Sequence, residues 1–312
     1  MAESHRFDLG VVTDEIDQDF EHACDVAVDL GMRVVEMNNL WGKPADRLEP
    51  DEVRRLQDIV RRRGLRVDAV GTLAFKALEF SKNSDLGTSS DYADHLDTIR
   101  RAARIARDLA DVSASPAVRI FSFRREPMEG LGNPSPILPD GGGLTSETLE
   151  RIVEGLQPAC DLAADFGVRL LVENVRSCWG NTGVHAARIV ETANRSELGI
   201  IWDIANDFVS CGLPYHAGYE ATKPWTTVIH CKDARLVDRG PGLTAWMPIG
   251  AGEVDIEGQF RDLARDGFRG PLLLETHWRG DGMSPEESSR RSFAGLQKAL
   301  TRAESLGVRA QT

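Results

Sequence analysis

Eight short apolar runs, each separated from the next by a longer amphipathic stretch, restrict this chain more than any other feature. They read "FDLGVV" (7–12), "RVVEM" (33–37), "RVDAVG" (66–71), "VRIFSF" (118–123), "RLLVEN" (169–174), "LGIIWD" (198–203), "TVIHCK" (227–232) and "LLLET" (272–276). Several are almost unbroken Val, Ile and Leu, the pattern of parallel strands covered on both faces. Parallel neighbours need long crossovers, usually helices. The intervening segments supply them. Between 92 and 110, Leu96, Ile99, Ala103, Ala106 and Leu109 recur at spacings of three and four, with Arg and Asp opposite. The stretch from Thr145 or Ser146 to Gly167 opens with capping chemistry and stops on a glycine. Eight such units predict a (β/α)8 TIM barrel, one domain spanning 1–312. A doubly wound open sheet is the alternative. It would normally carry a Gly-rich phosphate loop after an early strand, and the sequence has none.

Composition narrows the function classes. With 312 residues, 41% hydrophobic and 28% charged, the chain can bury a sizeable core without disulfides. A formal net charge of −12 argues against nucleic acid, whose phosphates call for clustered Lys and Arg. The cysteines number five, and no close pair has zinc-site spacing, so free thiols in a reducing cytoplasm are expected. The start "MAESHRFDLG" shows no apolar signal region and no run approaches 18 apolar residues, so neither secretion nor membrane spanning is expected. Three connections are too long for simple turns: 72–90, 124–143 and 234–255. All follow strands, which puts them on the catalytic face of a barrel, where long loops often act as lids.

Polar groups stand where the apolar runs stop. Glu173 ends the fifth run, Asp203 the sixth and Glu275 the eighth, while His230 sits late in the seventh. In a barrel these carboxyl ends converge on one mouth. Three carboxylates brought together repel one another unless a cation joins them. Three oxygen ligands and one imidazole suit Mn²⁺, Co²⁺ or Mg²⁺, with Zn²⁺ as a further choice. Taken singly, each residue could be a helix cap, a salt-bridge partner or a core histidine. Four in successive strand ends make one divalent ion, Mn²⁺ by preference, the expectation.

The segments "LLVEN", "IIWDIAN", "VIHCKDAR", "PIGAGEVD" and "LLLETHW", in that order, resemble the xylose-isomerase-like barrel superfamily. Its members include ketose 3-epimerases, hydroxypyruvate isomerases, inosose dehydratases, C-glycoside deglycosidases and endonuclease IV. The resemblance is clearest from about 168 to 276. It implies that Glu173, Asp203, His230 and Glu275 hold the metal and that Glu173 and Glu275 also exchange protons with substrate. The ketose epimerases carry a substrate-contacting His three residues after the Asp; Asn206 stands there in this chain. Arg235 matches the family's substrate-binding arginine after strand seven. Endonuclease IV uses several zinc ions and many His ligands, whereas this chain has 7 His in all.

The resemblance thus implies proton abstraction beside a carbonyl, through a metal-stabilised enediolate, on a sugar or keto sugar. Reprotonation gives an isomerase or epimerase, the first expectation. Loss of a β-substituent gives a lyase of the dehydratase or C-glycoside deglycosidase type, the alternative. A barrel that only binds a sugar or regulates a partner is a third, minor reading. Further candidates for substrate contact are Glu36, Lys232 and His277. Glu36 and Asn38 could instead cap a helix, and Lys232 could pair with Asp203 or Glu173. Trp41, Phe75, Trp179, Trp246 and Trp278 could wall a sugar site or fill the core. The family's habits suggest a homodimer or homotetramer, and a deglycosidase would add a small accessory subunit.

Overall fold

The computed structural model describes residues 7–127, 135–211, 215–238 and 243–309. Eight parallel strands close on themselves: β1 (Leu9–Val12), β2 (Val34–Met37), β3 (Arg66–Gly71), β4 (Ala117–Ile120), β5 (Arg169–Glu173), β6 (Leu198–Asp203), β7 (Thr226–Cys231) and β8 (Leu272–Leu274). Each pairs with its neighbours in chain order, and β1 closes the ring on β8 with Leu9 opposite Leu272. All eight predicted strands are present, and the open sheet is excluded. The crossovers are helices with their own start and stop signals. Asp19 caps Phe20–Asp29, Ser89 caps Ser90–Asp108, and Thr145 caps Ser146–Phe166. The helix Pro50–Arg63 opens with a reciprocal Glu49–Glu52 box and ends on the left-handed Gly64.

Strand alternation decides where the site lies. Val34, Ala69, Ala117, Leu171, Ile201, Val228 and Leu273 form a small buried cluster separate from the main core. They plug the inside of the barrel. Two residues further along, on the same face of each strand, stand Glu36, Gly71, Arg119, Glu173, Asp203, His230 and Glu275. The barrel interior therefore changes in one step from an apolar layer to an ionic one.

The long connections after β3, β4 and β7 carry structure of their own. Asp233–Asp238 pairs antiparallel with Leu243–Met247, and Ser135–Pro136 adds a third short strand. The first two segments are only half buried, so they lack the apolar run that marked the barrel strands. In 72–90, Phe75 and Phe80 are buried and stack on Phe123, with ring centroids 4.5 and 4.8 Å away. They fill the core and do not wall a cavity. Within 124–143, residues 128–134 lie outside the described residues. The "PIGAGEVD" segment is organised by Asp233, whose carboxylate accepts from the backbone N–H of Gly250 and Gly252 at 2.9 Å and of Val254 at 3.3 Å. A Cβ at Gly252 would overlap that carboxylate, which explains the glycine. No helix among the described residues is long and apolar enough to cross a membrane.

Candidate metal centre

Glu173, Asp203, His230 and Glu275 meet at the carboxyl-terminal mouth. One ligand atom from each lies within 4.8 Å of every other, and all four residues are buried. Local contacts fix them. Asn174 accepts from Asp203 N–H at 2.8 Å and donates to Asp203 C=O at 2.9 Å, clamping β5 to β6. Asn206 donates its side-chain N–H to Glu173 Oε1 at 3.0 Å, and its backbone N–H to Asp203 Oδ1 at 2.7 Å. His230 Nε2 lies 2.9 Å from Glu36 Oε2 while Nδ1 lies 3.2 Å from Glu275 Oε2. Glu36 thus orients the imidazole and leaves Nδ1 facing the carboxylates, as a partner behind a metal-binding histidine does.

Two buried cations share the space. Lys232 Nζ lies 2.9 Å from Asp203 Oδ2 and 4.0 Å from Glu173 Oε1, and donates to Glu275 Oε2. Arg119 NH1 lies 3.1 Å from Glu173, 3.3 Å from Glu36 and 3.5 Å from Glu275. Its second nitrogen donates to Asn38 Oδ1 at 2.5 Å. Asn38 comes that close because β3 places Gly71 there; a Cβ at that position would overlap Asn38 Oδ1. Arg119 was not among the sequence candidates. Its signal was an arginine inside an otherwise apolar strand.

Electrostatics explain the protonation states. Burial and the Glu275 charge push the Glu173 carboxyl up, but Arg119 and His230 outweigh them and hold it at about 2. Burial likewise opposes ionisation of Glu275, and Lys232, His277 and His230 reverse it, leaving its carboxyl well below the usual range. Asp203 is raised by burial, with Lys232 pulling the other way. Burial disfavours a charged His230, yet Glu36 and Glu275 hold its pKa well above the ordinary imidazole value.

The donors fit a divalent cation. Four carboxylates (Glu36, Glu173, Asp203 and Glu275) face two permanent cations, Lys232 and Arg119. With the imidazole neutral, as a metal ligand must be, two negative charges are left over. Asp203 Oδ2 and Glu36 Oε1 are buried and meet Lys232 and Arg119 as ion pairs, but neither has an aligned hydrogen bond. Buried carboxylate oxygens left short of donors in this way suit a bound ion. A second, more open group, Glu15, Glu275 and His277, shares Glu275.

A cavity of about 360 Å³ runs from this centre toward the loops after β2 and β3. Glu173, Glu275, Arg119 and His277 line its inner end. His277 Nε2 lies 3.6 Å from Glu275. Glu36, Asp203, His230 and Asn206 lie behind that wall. Arg235 is exposed on the Asp233–Asp238 strand and does not line the cavity. Among the aromatic candidates, the Trp246 ring lies 5.5 Å from Lys232 Nζ and 5.2 Å from the His277 ring.

A closed parallel barrel with a buried carboxylate–imidazole centre at its mouth defines a class of metal-site barrels. Over residues 24–299 the chain matches the xylose isomerase-like TIM barrel family, and it belongs to that family. No curated protein sequence matches it. Among solved structures, a D-allulose 3-epimerase from Methylomonas sp. in complex with D-allulose is 17% identical, with a TM-score of 0.66 over 97% of this chain and 99% of that one. A probable 3-DHS dehydratase from Bacillus anthracis is 15% identical, with a TM-score of 0.67 over 93% and 98%. A barrel protein from Mycobacterium smegmatis in complex with magnesium is 16% identical, with a TM-score of 0.62 over 91% and 89%. At these identities the likeness is one of fold.

Proposed function

We propose that this barrel is a divalent-metal-dependent isomerase or epimerase of a sugar or keto sugar. The observation that carries the reading is the buried Glu173, Asp203, His230 and Glu275 group, whose ligand atoms lie within 4.8 Å of one another beside a substrate-sized cavity. These four residues would hold the ion, with Mn²⁺ the first choice and Mg²⁺, Co²⁺ or Zn²⁺ as alternatives. When bound, such an ion supplies Lewis acidity to a substrate carbonyl and its neighbouring hydroxyl.

The remaining work falls to side chains. Glu173 is ionised, held by Arg119 and Asn206, and faces the cavity. It removes the proton from the carbon beside the carbonyl. Glu275, also on the cavity wall, returns a proton to the opposite face of that carbon, and the two carboxyls are reset by proton exchange with solvent through the cavity. Arg119 and His277 orient substrate oxygens from the inner wall. The apolar layer beneath keeps water from entering from below. A lyase reading rests on the same residues: a protonated Glu275 on the cavity wall could give its proton to a leaving oxygen instead.

Proton NMR in D₂O tests both, using Mn²⁺-loaded and then Mg²⁺-loaded protein with free ketoses, inososes and 3-keto glycosides. Deuterium beside the carbonyl with a new epimer or isomer supports the first reading. An unsaturated product or a released aglycone supports the second. Absence of exchange across the panel, with metal bound, removes the main support for proton transfer at this centre.

A further inference from the structure

The cavity extends well past the carboxylate centre, and its outer end has the opposite charge. Asp46, Arg47, Lys76, His95 and Thr98 line that end. Asp46 is buried and held by Arg101, whose Nε and NH2 lie 3.0 and 2.8 Å from Oδ2. Its charge is therefore answered from behind. Arg47 approaches the same carboxylate at 3.4 Å with a side chain 61% exposed, so its guanidinium is surplus. Lys76 is half buried and has no carboxylate partner among the described residues; its Nζ sits 4.6 Å over the Phe121 ring. Arg119 leans on the same ring at 5.4 Å. The two cations are thus at most about 10 Å apart, one at each end of the cavity.

The outer end is built, not loose. Phe75, beside Lys76, has φ +68°, a conformation unfavourable for a bulky side chain. Buried stacking on Phe123 and Tyr92 holds it there. Its backbone N–H donates to His95 Nδ1 at 3.2 Å, so the neutral imidazole carries its proton on Nε2. The chain as a whole is strongly acidic, with net charge −12. A cationic arm inside an acidic protein answers a ligand that the general field would repel.

We infer that the substrate is an acidic ketose, with its carbonyl end between Glu173 and Glu275 and an anionic group at the far end held by Lys76 and Arg47. This rests on the isomerase reading above and specifies its substrate class. Carboxylate and phosphate share the required chemistry.

The test compares D-fructose, D-fructose 6-phosphate and D-tagaturonate on Mn²⁺-loaded protein. Calorimetry reads binding, and NMR in D₂O reads exchange in the same samples. Wild type should bind at least one acidic ketose roughly 10- to 100-fold more tightly than D-fructose, the range of one charge-assisted hydrogen bond. Lys76→Met should erase most of that preference, weakening the acids far more than D-fructose, whereas Lys76→Arg should keep it. The tighter of the two acids then tells carboxylate from phosphate. Equal affinity for all three ketoses, no binding of either acid, or a preference unchanged in Lys76→Met overturns the subsite. Lys76-dependent binding without exchange keeps the subsite and overturns the isomerase reading. Exchange of D-fructose with no preference for an acid does the reverse.

Discussion

Replacing Lys232 by methionine probes the charge balance of the centre directly. The ammonium is fully buried and touches Asp203 and Glu275, with Glu173 at 4.0 Å. Methionine keeps most of the side-chain volume, so the change is chiefly one of charge. Removing one partner from a buried ion pair costs about 3–5 kcal/mol. With chelator present, nothing replaces the lost charge, and for a chain of 312 residues the melting temperature should fall by roughly 5–8 °C. With saturating Mn²⁺, two positive charges enter the same cluster, and the loss should shrink to about half. Thermodynamic linkage then requires the Lys232→Met variant to bind Mn²⁺ about 10- to 100-fold more tightly than wild type. Thermal melts in EDTA and in Mn²⁺, with calorimetric titration of the ion, measure each leg. An unchanged melting temperature in EDTA, or weaker Mn²⁺ binding, would refute the claim that Lys232 compensates the carboxylates an ion would join.

Other perturbations test neighbouring parts of the argument. Asp207 is buried, accepts from Gly183 N–H at 2.8 Å, and is raised by burial to about 7. Because its folded pKa exceeds the unfolded value, its contribution is fully present below about pH 4 and is lost as pH rises through 7. Asp207→Asn should therefore gain about 4 kcal/mol relative to wild type between pH 4 and 8 in urea melts; parallel pH profiles would count against this. Gly71→Ala should push Asn38 off Arg119 and destabilise by about 1–3 kcal/mol, with an altered inner wall visible as weaker substrate binding. Asn206→Ala removes the donor to Glu173 Oε1 and should lower kcat/KM about 10-fold or more; an unchanged value would remove Asn206 from the site. Leu273→Ala, in the apolar layer below, should cost about 2–5 kcal/mol in chemical denaturation.

The barrel was legible because its signal is local. Each strand is an almost continuous apolar run with a helix pattern after it, and Leu171 or Ile201 needs no distant partner to be read as buried. The metal-site candidates were legible for a related reason: Glu173, Asp203 and Glu275 are ionisable residues at the ends of such runs. Arg119 was harder, because an arginine inside a strand can also mark an edge. The strands Asp233–Asp238 and Leu243–Met247 left no apolar run because pairing between half-exposed segments depends on neighbours brought together by the fold. Phe75 illustrates the same limit. Its loop position left both a cavity wall and the core open, and only its stack with Tyr92 and Phe123 places it in the core.

The sequence by itself determined the number of strands, their burial on both faces and the residues at their carboxyl ends, because period and run length act over a few residues. The tertiary structure decided which charges answer which. Closure of the ring brings Glu36 from β2 to His230 on β7, and Arg119 from β4 to Glu173 and Glu275. Charge balance in a buried cluster depends on distances between residues far apart in the chain, and no local pattern encodes those distances. The cationic outer arm of the cavity came from the same source, since Arg47 and Lys76 share a wall only after the loops beyond β2 and β3 fold over the mouth.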